Sequence, residues 1–429
     1  MKYLPIGQEL FTTNRNKLKV KLKPNSVAIF NSSDIMPTSA DGTLPFKQDP
    51  NIFYLSGIDQ EESILLLAPD FPDEKFREVL FIKETSKEIA IWEGHKYTKQ
   101  EAEESSGIKN VRWLTDFESI LNTILAESSN IYLDSNEHIR NGSKVESRTD
   151  RFTKWCMDQY SLHQYERIAP LIYDLRCVKE SREIELLQHA CDITEIGFRR
   201  ILEFTKPGVW EYELEAELSY EFLRNRATRF AYDPIIASGG NSCVLHYIEN
   251  NKQCKSGDII LFDVGAEYAN YNADMTRVIP VNGRFSKRQR QVYDAVLRVK
   301  NEATELLRPG NAIPEYHKAV GEIMERELLA LGLISKVDIE KQRPEWPAYK
   351  KYFMHGTSHH LGLNVHDVAS IYKKFEPGMV FTVEPGIYIP EENIGIRLED
   401  NITITKGGHI NLMKNIPIHA DEIESLMNA

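Results

Sequence analysis

Five residues toward the carboxyl end have the types and grouping of metal ligands: Asp263 and Asp274 in LFDVGAEYANYNADMTR, His359 in HGTSHHLGLNVHD, Glu384 in FTVEPG and Glu399 in GIRLED. Carboxylates held close together repel one another unless a cation neutralises them, so the set reads as a cage for hard or borderline divalent ions. One ion would not use all of them. Two ions a few ångströms apart would use every ligand and would activate water for hydrolysis at neutral pH. Each acid taken singly is an ordinary strand-end or turn residue; it is their joint occurrence that points to chemistry.

The histidines cluster as well. Four of the twelve, His355, His359, His360 and His366, fall within twelve residues. His355 and His359 stand four apart, as in a helical HExxH zinc site, but the glutamate is missing and Gly356 and Gly362 disfavour a helix. A loop or strand presenting imidazoles to a pocket is expected instead, one as ligand and others as proton carriers or oxyanion stabilisers. His246 ends the glycine-rich stretch ASGGNSCVLH, which has no lysine and so is not a phosphate loop. Such a stretch lets backbone approach a ligand or turn sharply into a strand.

The two carboxylate blocks share a plan that would position these groups. An apolar run (IILFD or MVFTVE) carries an acid near its end, a turn containing Gly and Tyr follows, and a second acid arrives eleven or fifteen residues later. Across a hairpin, directly opposed residues lie roughly 5 Å apart. Two hairpins facing each other would build the cage and hint at an internal duplication.

Ahead of them, VKESREIELLQHACDITEIGFRRILEF predicts a long helix capped near Ser181, with Ile184, Leu187 and Cys191 on one face. A second helix starts with a capping box at Ser286 and Gln289, repeats Val292, Val296, Val299, Ala303 and Leu306, and stops before Pro309-Gly310. The first third alternates short apolar runs with charged turns: SVAIF, NIFYLSGI, SILLLA, EVLFI, EIAIW and NIYLD. Strands with interspersed helices predict an α/β domain with a mixed sheet. The run Lys17 to Lys23 fits either a strand or, through Phe11, Leu18 and Leu22, a helix, with its lysines on a solvated face. The expected domains are 1–172 and 173–429.

Composition bounds the rest. A chain of 429 residues suits two or three domains, and 41% hydrophobic with 27% charged residues is ordinary for a soluble protein. A formal net charge of -12 argues against nucleic acid as the main ligand. The five scattered cysteines argue for a reducing compartment, and the amino terminus lacks the apolar run of a signal peptide. No stretch suggests a membrane span, so the cytoplasm is the expected location.

At these residues the chain resembles the metal-dependent aminopeptidase P family, which shares the pita-bread (creatinase/aminopeptidase) fold with prolidase, methionine aminopeptidase and creatinase. SGGNSCVLHY, LFDVGAEY with ADMTR, FMHGTSHHLGLNVHD, VEPGIY and GIRLEDNI carry the resemblance in order, and FKQDPNIFYLSGIDQEESILLL extends it into an amino-terminal creatinase-like domain. The resemblance implies an α/β (α+β) protein that hydrolyses the amino-terminal Xaa-Pro bond of peptides through a metal-bridging hydroxide. Asp263 would hold one ion, Asp274 and Glu399 would bridge two, and His359 and Glu384 would complete the second. Glu384 would also accept a proton. His246 and His366 would stabilise the tetrahedral intermediate or orient the substrate, and His355 with Arg397 would line the pocket beyond the cleaved bond. Tyr232 and Tyr388 would form pocket walls.

The implied cofactors are two divalent ions, Mn²⁺ first, with Zn²⁺, Co²⁺ or Fe²⁺ also compatible. Trp92 would reach a neighbouring subunit's site in a homodimer or homotetramer; its alternative is a strand-end core residue. Two departures stand out: Ala273 replaces a common glycine, and His360 replaces a common aromatic. An Xaa-Pro dipeptidase is the nearest alternative, and a pita-bread binding module without metals is a distant one.

Overall fold

The computed structural model describes residues 2–429, and the chain divides into two compact units, Tyr3–Arg176 and Cys177–Ala429, with Lys2 grouped in the second. The amino-terminal unit runs α1 (Gln8–Lys19), β1 (Ser26–Asn31), β2 (Pro37–Ser39), β3 (Gly42–Thr43), α2 (Pro50–Ser56), β4 (Ile64–Leu67), β5 (Glu78–Ile82), α3 (Lys87–Glu93), α4 (Lys99–Ser106), β6 (Val111–Trp113), α5 (Phe117–Leu125), β7 (Asn130–Leu133), α6 (Arg148–Gln159), β8 (Gln164–Arg167) and α7 (Ala169–Arg176). Its sheet has the order β6-β5-β4-β1-β7-β8 and is mixed, with β4 antiparallel to both neighbours and the other pairs parallel. The central β1 and β4 are buried at every position, as strands covered on both faces are. Val27, Ile29, Leu66, Phe81, Leu121 and Ile131 pack in one core.

Two apolar runs that read as strands are helices. NIFYLS forms α2 because Asp49 accepts from the Asn51 and Ile52 amides, Pro50 fits the first turn, and Gly57 takes a left-handed conformation (φ 68°) at the end. A helix buried on every side has no amphipathic period, so its apolar run mimics a strand. KEIAIWE forms α3 behind a Ser86 cap, and Trp92 is 89% exposed rather than a strand-end core residue. The ambiguous lysine run ends a helix, α1, with Phe11 and Leu18 buried beneath it.

The second unit continues α8 (Ser181–Phe204), α9 (Glu211–Arg224), β9 (Arg229–Phe230), β10 (Ile235–Ser238), β11 (Ile259–Val264), β12 (Ala266–Tyr268), β13 (Tyr271–Asn272), β14 (Met275–Pro280), α10 (Lys287–Glu305), α11 (Ile313–Ala330), α12 (Lys336–Glu340), β15 (Val380–Val383), β16 (Gly386–Ile389), β17 (Ile394–Arg397), β18 (Asp400–Thr405), β19 (Gly408–Asn411) and α13 (Ala420–Met427). The capping box at Ser286 and Gln289 is present. The cap of α8 lies one residue before Ser181, at Glu180, whose box partner is Glu183. Leu187 and Cys191 face the core, while Ile184 is half-buried.

The duplicated plan is visible in the strands. β11 pairs with β14 around an inner hairpin, β12–β13, and β15 pairs with β18 around another, β16–β17. The first inner hairpin turns at Ala269-Asn270, both with positive φ (52° and 65°), the conformation of a two-residue type I′ turn. No helix among the described residues is long and apolar enough to cross a membrane.

Candidate metal centre

The four expected carboxylate ligands lie where each outer strand pair gives way to its inner hairpin, and His359 comes from the irregular segment before β15. In the first, the acids are not directly opposed: Asp263 pairs with Thr276, and pairing stops at Val264–Met275. Asp274 is therefore diagonal to Asp263, two residues along and on the same side of the ribbon. The crossing is tight, since a Cβ on Gly265 would stand 1.8 Å from the Ala273 carbonyl oxygen. Glycine is required there, and the buried Ala273 fits beside it. In the second, Val383 pairs with Asp400, and Glu384 and Glu399 flank that last pair.

Asp274, His359 and Glu399 each offer a ligand atom within 4.8 Å of the other two. His359 Nε2 lies 3.4 Å from Asp274 Oδ2 and 3.8 Å from Glu384 Oε1. Its Nδ1 is 2.9 Å from the His360 carbonyl oxygen. A carbonyl only accepts, so Nδ1 holds a proton there, and Nε2 is the nitrogen that faces the acids and would ligate a metal. Asp263 joins through Tyr232, whose hydroxyl is 2.5 Å from Asp263 Oδ1 and 2.6 Å from Asp274 Oδ1. Arg397 Nη2 donates to Asp263 Oδ2 at 2.5 Å.

The electrostatics fit a cation. Burial, then repulsion from Asp274, Glu384 and Asp263, pushes Glu399 well above the carboxylate range. Glu384 rises to about 7 for the same kinds of reason, against the pull of His359 and Arg397. Burial and the nearby carboxylates keep the Tyr232 phenol protonated. That phenol has one proton to share between two carboxylate oxygens, so one short O···O contact is unfilled when both acids ionise. A divalent ion would relieve both the repulsion and the unfilled contact.

Around this cluster, Arg397 Nη1 donates to the Tyr388 hydroxyl at 2.7 Å, and that hydroxyl lies 2.8 Å from His355 Nε2. His355 Nδ1 is 2.8 Å from the Gly356 carbonyl oxygen and holds the proton there. Burial, then Arg397 and other charges including His246, hold His355 down to about 3, so it is a neutral imidazole. His366 is exposed and packs against His359 with ring centroids 4.0 Å apart and ring planes tilted by 38°. His246 is exposed, and its glycine-rich stretch forms a 3-10 turn over Gly239–Cys243 rather than leading into a strand. Trp92 lies in the other unit, on α3.

Three supporting residues escaped sequence reasoning. Thr276 accepts from Arg397 Nε at 3.1 Å and donates to Glu399 Oε2 at 2.6 Å. Asn401 accepts from the Asp274 amide at 3.1 Å and donates to its carbonyl at 2.6 Å. Thr382 Oγ1 accepts from the His359 amide at 3.2 Å. Their one signal was position, since Thr276 and Asn401 each stand two residues after a candidate ligand.

Residues 185–406 match the family model described as metallopeptidase family M24, and residues 11–132 match the aminopeptidase P N-terminal domain. The chain is 34% identical to Xaa-Pro aminopeptidases of Haemophilus influenzae and of Escherichia coli, in each case over 99% of this chain and 98% of the relative. Among solved structures, the Pseudomonas aeruginosa aminopeptidase PepP superposes with a TM-score of 0.91 at 31% identity, covering 100% of this chain and 99% of that one. A variant of Escherichia coli aminopeptidase P in complex with substrate superposes with a TM-score of 0.87 at 32% identity, covering 98% of each chain.

Proposed function

This chain belongs to metallopeptidase family M24, and on that premise we propose that it removes the amino-terminal residue from peptides whose second residue is proline. The observation that carries the reading is the convergence of Asp274, His359 and Glu399, with Asp263 tied in through Tyr232 and Glu384 beside His359. Asp263 would hold one divalent ion, His359 and Glu384 a second, and Asp274 and Glu399 both. The oxygen-rich set suits Mn²⁺, with Zn²⁺, Co²⁺ and Fe²⁺ as competitors. Bound there, such ions would polarise the scissile carbonyl and make water a nucleophile at neutral pH.

The chain's own residues would do the rest. Glu384, as an ionised carboxylate beside His359, accepts the proton of the attacking water. His246 and His366 hydrogen-bond the oxygen on which charge develops. His355, Tyr388 and Arg397 form a hydrogen-bonded wall for the residue beyond the cleaved bond. An Xaa-Pro bond has no N–H to satisfy, so that wall needs ring faces rather than an acceptor.

Residues 1–172 would form the amino-terminal domain and 173–429 the catalytic one. The exposed Trp92 would contribute to a homodimer or homotetramer in the cytoplasm. The deciding test is hydrolysis of Xaa-Pro-Yaa, Xaa-Pro and Xaa-Ala-Yaa by chelator-stripped protein with and without Mn²⁺. Metal-dependent release of Xaa from the first, faster than from the other two, supports the proposal. Preference for the dipeptide replaces it with a prolidase activity, and no cleavage with any divalent ion rejects it.

A further inference from the structure

His246 poses a positioning problem. It is exposed, and it sits on the long connection between β10 and β11, where no strand or helix holds residues 244–250. A loop side chain is placed well only if the backbone around it is fixed by something else. One buried acid outside the ligand set supplies that fixation. Glu211, the first residue of α9, is fully buried. Its carboxylate accepts four hydrogen bonds, two from Ser238 at the end of β10, through the amide (2.8 Å) and the hydroxyl (2.6 Å), and two from the connection, through the Tyr247 hydroxyl (2.8 Å) and the Lys252 amide (2.9 Å).

The donors run from the last residue of β10 to beyond His246, and Tyr247 is the next residue after it. One turn along α9, Glu215 accepts from Asn250 Nδ2 at 2.9 Å. The connection is also pressed against β17, where a Cβ on Gly395 would stand 2.1 Å from the Ser242 carbonyl oxygen.

We propose that Glu211 is a positioning residue that sets where His246 stands. The proposal rests on the role given to His246 above. Four donors facing one carboxylate leave no place for an amide N–H, so Glu211→Gln strips at least one of them of its acceptor and frees part of the loop. The expected result, measured on the full chain with Mn²⁺ and an Xaa-Pro-Yaa peptide, is a fall in kcat of about tenfold or more, with KM within about threefold. Faster amide hydrogen exchange over residues 244–252 and unchanged metal stoichiometry should accompany it.

A double-mutant cycle separates positioning from general damage. In a His246→Ala background, Glu211→Gln should change kcat by less than about twofold, because the group it positions is gone. Tyr247→Phe, which removes one donor and keeps the ring, should show the same non-additivity at smaller amplitude and decides the matter if Glu211→Gln does not fold. Multiplicative losses in the double variants, or single variants as fast as the parent, overturn the proposal while leaving His246 in place. A His246→Ala enzyme as fast as the parent overturns the role of His246 and this proposal with it.

Discussion

Asp400→Asn should destabilise the carboxyl-terminal unit more than any single change at the candidate ligands. Asp400 is buried between two cations: Arg277 Nη2 donates to Oδ1 at 2.6 Å, and Lys300 Nζ is paired with Oδ2. Burial works against its ionisation, but the charges of Lys300 and Arg277 overcome it and hold the acid well below the carboxylate range. The same guanidinium donates to the carbonyls of Thr276 (3.0 Å), Glu399 (2.6 Å) and Pro417 (2.9 Å), which ties β14 to the link before β18 that carries Glu399. An amide at position 400 leaves two buried cations without a matching charge, a change that costs about 3–5 kcal/mol. At about 2–4 °C per kcal/mol for a unit of this size, the melting transition should fall by roughly 6–20 °C. Calorimetry of the full chain resolves the transition. Removing one surplus cation, as Lys300→Met in the Asp400→Asn background, should recover part of the loss. The acid limb gives a second check. An Asp whose folded pKa is depressed stabilises above its unfolded pKa, and that stability is lost as pH falls through the folded value; the parent should lose it only on strong acidification, and Asp400→Asn should lack it. A variant melting within about 2 °C of the parent would mean that water or relaxation compensates the cations, and the triad would not be what joins the two strands.

Tyr232→Phe removes the phenol between Asp263 and Asp274 and should weaken divalent-ion binding by about 10- to 100-fold in a competition titration; unchanged affinity would show that the phenol is bystander packing. Glu399→Gln should leave the melting temperature of chelator-stripped protein within about 3 °C of the parent, because the buried acid already favours its neutral form. The same variant should abolish the gain that saturating Mn²⁺ gives the parent, about 2.7 kcal/mol at a hundred times Kd. In the amino-terminal unit, burial and the neighbouring Asp49 push Asp134 up to about 7. A raised folded pKa means stability present below the unfolded value and lost as pH rises through about 7. Asp134→Asn should therefore flatten the pH dependence of that unit's denaturant midpoint between pH 5 and 8, and raise its stability at pH 8 by about 1–2 kcal/mol. A midpoint that still falls toward pH 8 would point to another group.

What the sequence made legible was the chemistry that depends on residue type. Asp263, Asp274, His359, Glu384 and Glu399 stood out because carboxylates and imidazoles concentrated in short blocks are costly without a cation. The mixed sheet and the capped α10 were legible because period and capping are local. The helices α2 and α3 were not. One is buried on all sides and the other exposes Ile91 and Trp92, so neither shows the half-and-half pattern that distinguishes a helix from a strand. The diagonal placement of Asp274 depends on an inner hairpin whose turn has no glycine. It uses Ala269 and Asn270 in a conformation that sequence patterns assign to Asn-Gly.

The supporting contacts were illegible for a deeper reason, which the duplicated plan makes visible. Thr276, two residues after Asp274, holds the carboxylate of Glu399; Asn401, two residues after Glu399, holds the backbone of Asp274. Each hairpin therefore fixes the ligand that belongs to the other, and Arg277 fastens the seam by donating to carbonyls on both sides. Within its own segment Thr276 is only a strand threonine and Asn401 only a strand asparagine, because each partner lies more than a hundred residues away in the chain. An exchange of this kind couples the two halves: Glu399 and Asp274 are each held by a residue of the other hairpin, so neither ligand has its full set of hydrogen bonds until both hairpins are in place.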